Sequence, residues 1–380
     1  MEKKARLIAF YLPQFHPIPE NDKYWGKGFT EWTNVAKAKP LFVGHNQPNI
    51  PSSLGFYDLR LQQVQIEQAE LAKQVGIEGF CYWHYWFGNG QEVLEGPLDR
   101  VIKTKMPDFP FCIGWANHDW STKTWEKNKH QDTIIFKQKY PGKDDFIDHF
   151  NRLLPAFKDP RYIKVDGKLL FLVFRPTEIE GLEMFLDIWN KMAIENGLKG
   201  FHFVGHYPSL PEINLEVVKN LDYTIDSRMN YIRELGFDAA NSFNEKYAEI
   251  KTKGLIYKGI HSLLRKKTKW MPVERYRYEK IINNYYTKAD EENYVYPTLI
   301  AGWDRSPRAG RKAIVYYDAN PDAFEKALLN VIEVVKHKPA ENRIVFINSW
   351  NEWGEGAYLE PDQTYNDAKI MKIKKIMIGD

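Results

Sequence analysis

A chain of 380 residues, 43% hydrophobic and 27% charged, has the makeup of an ordinary soluble globular protein, long enough for one large barrel or two medium domains. Its net charge of +3 falls short of the basic excess of a nucleic-acid binder, and no apolar run approaches membrane-spanning length. Lys3, Lys4 and Arg6 ahead of Leu7–Leu12 imitate a signal peptide, but Tyr11, Pro13 and the want of a small-residue cleavage site argue against one, so the expected location is cytoplasmic. Cys81 and Cys112 each lie in apolar, strand-like runs and read as reduced core residues.

The first predicted strand is Arg6–Tyr11. After it, residues 12–56 form a long stretch rich in Pro, Gly, Asn and aromatics, of a length that is usually functional when ordered. Asp58 reads as the cap of a helix in which Leu61, Val64, Leu71 and Val75 keep helical spacing up to Gly76. A strand–helix unit then recurs. Ile77–Trp83 precedes Leu94–Lys105, Phe109–Trp115 precedes Asp144–Phe157, and Lys168–Phe174 precedes Leu182–Glu195. Phe201–Gly205 is followed by a short helix near Leu215–Lys219, and Leu221–Ile225 reads as strand six. An insertion at about 229–293 separates it from Tyr296–Ala301 and the helix Phe324–Lys336. Ile344–Ile347 and Asp367–Met377 close the chain. Eight such units over residues 1–380 predict a single α/β domain, a (β/α)8 TIM barrel with long loops on its C-terminal face. A doubly wound sheet is disfavoured, because no strand–helix junction carries GxGxxG or GxxxxGK[ST], and no cofactor is expected.

In a barrel the residues after each strand collect on one face. Those singled out are Tyr11 and Gln14, with Glu31 and Trp32 in the first loop; Tyr82, His84 and Tyr85; Trp115, Asn117 and Asp119; and Arg175 and His206. The last two strands add Trp303, Asp304 and Arg305, then Trp350, Asn351 and Trp353. All tryptophans but Trp189 and Trp270 fall in such segments, about a third of them expected only to plug the barrel mouth. Flat rings interleaved with planar donors and acceptors suit a sugar, whose C–H faces stack and whose hydroxyls need partners. No HExxH occurs, and His84, His118 and His206 come from different strand ends, so no metal site is expected.

Ile344–Ile347, apolar as a strand buried on both faces, breaks into SWNEWGEG. Glycoside cleavage asks for an acid to protonate the leaving oxygen and a second carboxylate acting at the sugar. Glu352 and Glu355, three apart on a glycine-containing turn, could both reach one bond. An ExxE pair alone is a weak pattern; set after a buried strand between tryptophans, it is far more specific. The competing reading of Glu352 is a carboxylate that merely partners an arginine.

Taken together, FYLPQFHPIPENDKYWGKGFTEW, GFCYWHYWF, IGWANHDW, AGWDRSPR and INSWNEWGEGAYLEP resemble the bacterial WbsX-type proteins of surface-polysaccharide gene clusters. Those are related to glycoside hydrolase family 99, the endo-α-1,2-mannosidases and mannanases, and the last block corresponds to that family's NEWxEG signature. The resemblance implies a (β/α)8 barrel acting with retention. It implies that Glu352 deprotonates the substrate 2-hydroxyl, giving a 1,2-anhydro sugar. Glu355 would be the general acid, and then the base that activates water or another acceptor.

Three functions compete: a retaining glycosidase or transglycosylase, a glycosyltransferase of O-antigen or capsule assembly, and a non-catalytic sugar-binding barrel. Each takes an oligosaccharide or polysaccharide partner, free or lipid-linked, and none takes nucleic acid. Residues 251–280 hold ten Lys/Arg against two Asp/Glu. Such a run is ordinarily a solvated face; the sharper expectation is a peripheral contact with the inner membrane through 258–280.

Overall fold

The computed structural model describes residues 4–122, 133–208, 221–267 and 272–379. Eight parallel strands close on themselves: β1 (Arg6–Tyr11), β2 (Gly79–Trp86), β3 (Phe111–Trp115), β4 (Lys168–Val173), β5 (Phe201–Pro208), β6 (Ala239–Phe243), β7 (Val295–Ile300) and β8 (Ile344–Asn348). Closure is made by β8 beside β1, with Ile8 opposite Phe346. With helices between the strands, this is the (β/α)8 barrel.

Successive residues of a strand point to opposite faces, so the same strand feeds both the barrel interior and the layer under the helices. Phe10 stacks on Trp83 at 4.7 Å and on Phe346 at 5.1 Å between ring centroids. Gly114 makes room for that stack: a Cβ there would lie 3.0 Å from the Trp83 ring and 3.2 Å from Cys81 Sγ. Both cysteines are buried and free. On the outer face, Trp189 packs against Phe157, Phe171 and Phe201, joining two helices to the sheet.

Several elements differ from their sequence reading. Strand six is Ala239–Phe243, whereas Leu221–Ile225 opens the helix Leu221–Glu234. The fault lies in reading LDYTI as a β-rich run: Leu221, Ile225, Met229 and Ile232 are buried at helical spacing, while AANSF has few of the residues that mark a strand. The segment between β6 and β7 therefore runs over residues 244–294, not 229–293. The helix expected near Leu215–Lys219 lies outside the described residues. Asp58 does not cap the next helix, which starts at Gln62; its carboxylate accepts from the Arg60 backbone at 2.8 Å and from the Arg60 guanidinium. The loop after β1 is ordered by two short helices, Pro19–Trp25 and Glu31–Lys37.

The segment between β6 and β7 has a supporting role. Its helix Glu245–Lys267 breaks at Gly254, and its strand Glu274–Arg277 pairs with Ile314–Tyr317, which in turn pairs with Trp303–Asp304. The loop after β7 is thus held from outside the barrel.

Candidate functional site

At the C-terminal ends of the strands lies a cavity of about 590 Å³, within the size range of ligand pockets. Aromatic walls come from Phe10, Trp83, Tyr85, Trp120, Phe174, Phe243 and Trp303. Tyr85 and Trp120 stack at 5.7 Å, and Phe174 stacks on His206 at 5.0 Å. Polar groups come from Gln14, His118, Asp119, Arg175, His206, Glu245, Arg305, Arg308, Asn348, Glu352 and Glu355.

The two signature glutamates hang on a loop anchored beneath by hydrogen bonds. Asn351 clamps Leu12: its Oδ1 accepts from the Leu12 amide at 2.7 Å, and its Nδ2 donates to the Leu12 carbonyl at 3.0 Å. The Trp353 indole donates to Glu360 at 2.6 Å while its ring stacks on Tyr358 at 3.7 Å. Tyr57 and Gln68 also donate to Glu360, at 2.9 and 2.6 Å. The Ser349 hydroxyl accepts from the Glu352 amide at 2.8 Å.

Arg308 binds three carboxylates at once: Nε to Glu31 at 2.9 Å, Nη2 to Glu352 at 2.5 Å and Nη1 to Glu355 at 2.7 Å. Arg305 Nε reaches Glu355 at 3.0 Å. Glu352 is therefore both an arginine's partner and a cavity-lining acid, which joins the two readings the sequence left in competition. Burial, helped by the negative fields of Glu355 and Glu31, outweighs Arg308 and pushes the Glu352 carboxyl up to about 7. Burial also acts to raise Glu355, but the two guanidiniums overcome it and hold that carboxyl below the usual carboxylate range. Of the two, Glu352 is the more readily protonated.

The glycine between the glutamates is there for space. A Cβ on Gly354 would lie 1.5 Å from Glu31 Oε1 and 2.9 Å from Arg308 Nε. Gly354→Ala is expected to push Glu31 off Arg308 and re-aim both neighbouring glutamates. Measured by denaturant unfolding, the cost should be about 1–3 kcal/mol.

Of the residues singled out in sequence, Gln14, Tyr85, Asp119, Arg175, His206, Trp303, Arg305, Glu352 and Glu355 line the cavity. The others do not. Tyr11, Tyr82, His84 and Trp115 alternate with inward residues and so face the helices. Tyr11 donates to Gln68 at 2.7 Å, Tyr82 packs on Tyr11 and Phe111, His84 meets His149 at 2.9 Å, and the Trp115 indole donates to the Trp86 carbonyl at 2.9 Å. Asn117 clamps Arg175 as Asn351 clamps Leu12, accepting from its amide at 2.7 Å and donating to its carbonyl at 2.9 Å. Asp304 accepts from Gln47 at 2.6 Å and meets His45 at 2.7 Å, outside the cavity. Glu31 and Trp32 sit behind the wall, Glu31 under Arg308 and Trp32 against Trp353 at 5.4 Å. Trp350 is fully buried against Phe80. Among the described residues, strand-end tryptophans outside the cavity thus outnumber those that line it, Trp83, Trp120 and Trp303, against the third expected.

Trp83, Trp120, His118, Phe174, Arg308 and Glu245 line the cavity without having been singled out as site residues. Counting every second residue along β2 groups Trp83 with Tyr85, but Trp120, Arg308 and Glu245 lie off the barrel strands, where alternation says nothing. Glu245 was hidden by the misplaced strand six. His206 Nδ1 lies 2.6 Å from Asn241 Oδ1, an acceptor only, so Nδ1 carries the hydrogen and Nε2 is left to accept. Burial lowers this imidazole to about 4, keeping it neutral. Among the described residues no group of His, Cys, Asp and Glu is arranged to hold a metal ion.

The family model described as Glycosyltransferase WbsX matches residues 7–373. The chain is 35% identical over 362 residues to uncharacterized protein WxcX from two strains of Xanthomonas campestris pv. campestris; the match covers 94% of this chain. It spans about half, 47%, of the length of those curated relatives. Among solved structures, one titled glycoside hydrolase-like protein superposes with a TM-score of 0.62 at 12% identity, covering 99% of this chain and 94% of that one. The GH99 endo-alpha-mannosidase from Bacteroides thetaiotaomicron superposes with a TM-score of 0.53 at 12% identity, covering 98% and 96%. Likeness at that identity concerns the fold, which it shares across the barrel; the family model, running through nearly the whole chain, shows that this protein belongs to the Glycosyltransferase WbsX family.

Proposed function

We propose that this protein breaks or re-forms glycosidic bonds of a bacterial surface polysaccharide, with Glu352 and Glu355 as its acid–base pair. The observation that carries the reading is that both carboxyls line one aromatic-walled cavity on a shared arginine, with burial raising Glu352 while Arg305 and Arg308 together lower Glu355. A pair holding one proton is what a reaction that both gives and takes a proton requires.

By the resemblance, Glu352 removes the 2-hydroxyl proton as that oxygen attacks C1, while Glu355 protonates the departing glycosidic oxygen. Water or a sugar hydroxyl then opens the 1,2-anhydro ring at C1, giving its proton to Glu355 as O2 recovers one from Glu352. Water yields hydrolysis; a sugar yields transfer, the outcome in keeping with the family's description. The raised Glu352 and lowered Glu355 carboxyls favour a second reading, in which Glu352 is the acid and Glu355 the base.

The test is turnover of oligosaccharides released from the producing organism's own surface glycan, followed across pH. Activity should rise as pH climbs through the lowered Glu355 value and fall above about 7, where Glu352 loses the pair's proton. A rate flat through pH 7, or no product from any such oligosaccharide, contradicts the proposal. Nucleotide-sugar binding detected by calorimetry would instead favour a transferase using an activated donor, and tight binding without product a sugar-binding barrel.

For the partner side, we propose a peripheral membrane contact through the basic segment. No helix among the described residues is long and apolar enough to cross a membrane. On Glu245–Lys267, however, Ile256, Ile260 and Leu263 are 81%, 50% and 56% exposed at helical spacing, forming an apolar stripe. Sedimentation with anionic liposomes at low salt should retain the protein, and changing all three to Ser should release it. Equal retention of both proteins, or of neither, would exclude the contact.

A further inference from the structure

We propose that Glu245 is a specificity residue of the same cavity, its carboxyl donating a hydrogen bond to a hydroxyl of the sugar unit beside Glu355. This rests on the reading of the cavity as a saccharide site.

Glu245 opens the helix that follows β6 and lines the cavity with Phe243, Arg305 and Glu355. Its placement is rigid. Buried Asp290 accepts from Ser242 Oγ, from Asn244 Nδ2 at 3.0 Å and from the Thr287 amide at 2.7 Å, pinning the residues that lead into it. One turn along the helix, Glu249 is buried but satisfied, meeting Lys258 and accepting from the Tyr316 hydroxyl at 2.8 Å. Glu245 Oε1 is buried with no hydrogen-bond partner among the described residues. A buried carboxyl oxygen left so is costly unless something outside the chain meets it. Burial, with the negative fields of Glu249 and Glu355, outweighs Arg305 and Lys258 and raises this carboxyl well above its ordinary range. A protonated carboxyl offers one donor and one acceptor, the pair of functions a sugar hydroxyl matches. Its neighbour Glu355, by contrast, is already met by Arg305 and Arg308.

The test uses the Glu355→Gln protein, in which binding is separated from turnover, and calorimetry with the oligosaccharides released from the surface glycan. Adding Glu245→Ala should weaken binding about 10- to 100-fold, the cost of one lost hydrogen bond to a polar ligand. Adding Glu245→Gln, which restores a donor and an acceptor in the same volume, should recover binding to within a few-fold of the parent. Should the Ala protein not fold, Glu245→Met keeps the bulk and carries the same expectation. Gln as damaging as Ala, or Ala without effect, overturns the proposal. Absence of binding by both the parent and the wild type would overturn the saccharide reading of the cavity itself, a result distinct from either.

Discussion

Glu355→Gln is expected to lower turnover of a natural oligosaccharide by about 10²–10⁴-fold, and Glu352→Gln by a similar factor, because each removes one of the two groups that exchange protons with the substrate. The variants should part on an aryl glycoside whose leaving group departs without protonation. There the protein lacking its general acid regains bond cleavage, whereas the protein lacking the base that works on the 2-hydroxyl does not. With the roles implied by resemblance, Glu355→Gln is the one rescued, releasing a burst of aryl alcohol before the second step slows. Rescue of Glu352→Gln instead would assign the acid to the carboxyl that burial raises. Equal rescue of both, or of neither with full binding retained, would remove the pair from the chemistry.

Arg308→Met is expected to be the most damaging single change to the fold of the site. It leaves Glu31, Glu352 and Glu355, now held by one guanidinium, facing each other without it. Removing one member of a buried ionic cluster costs about 3–5 kcal/mol, measured here as the shift in urea midpoint multiplied by the denaturant slope. The sign of its pH dependence follows from the charges. Without the cation all three carboxyls rise above their unfolded values, so the folded variant binds protons more tightly than the unfolded chain. Its stability is fully present below about pH 4 and is lost as pH rises through the raised values, so the deficit against wild type should widen from pH 4 to 8. A deficit that is constant over that range would mean Arg308 acts by packing alone.

Much of this architecture is legible in the residues. Parallel barrel strands are buried on both faces, so runs such as Leu169–Val173 and Ile344–Ile347 announce themselves without alternation. The SWNEWGEG loop stands out because carboxylates and tryptophans rarely leave a buried strand together. What escaped was orientation. Tyr82 and Tyr85 look alike in sequence, yet their offset along the strand is odd, so they face opposite ways and only Tyr85 lines the cavity. Strand six escaped for a different reason: Ala239, Ala240 and Asn241 are small or amide residues, Asn241 holding His206 inside the barrel, and they carry no β signal of their own. With the strand misplaced, Glu245 passed as part of a helical insertion. Arg308 was visible at a strand end, but its partners come from two other loops, Glu352 44 residues away and Glu31 277 away, and no local spacing links them.

The most direct measurement is the anomeric configuration of the first-formed product, read by proton NMR during turnover of the surface-glycan oligosaccharides. Wild type is expected to give product with the configuration of the bond it cleaved, and a Glu352→Gln/Glu355→Gln double variant to give none. An inverted product, or the same product at the same rate from the double variant, would contradict the account.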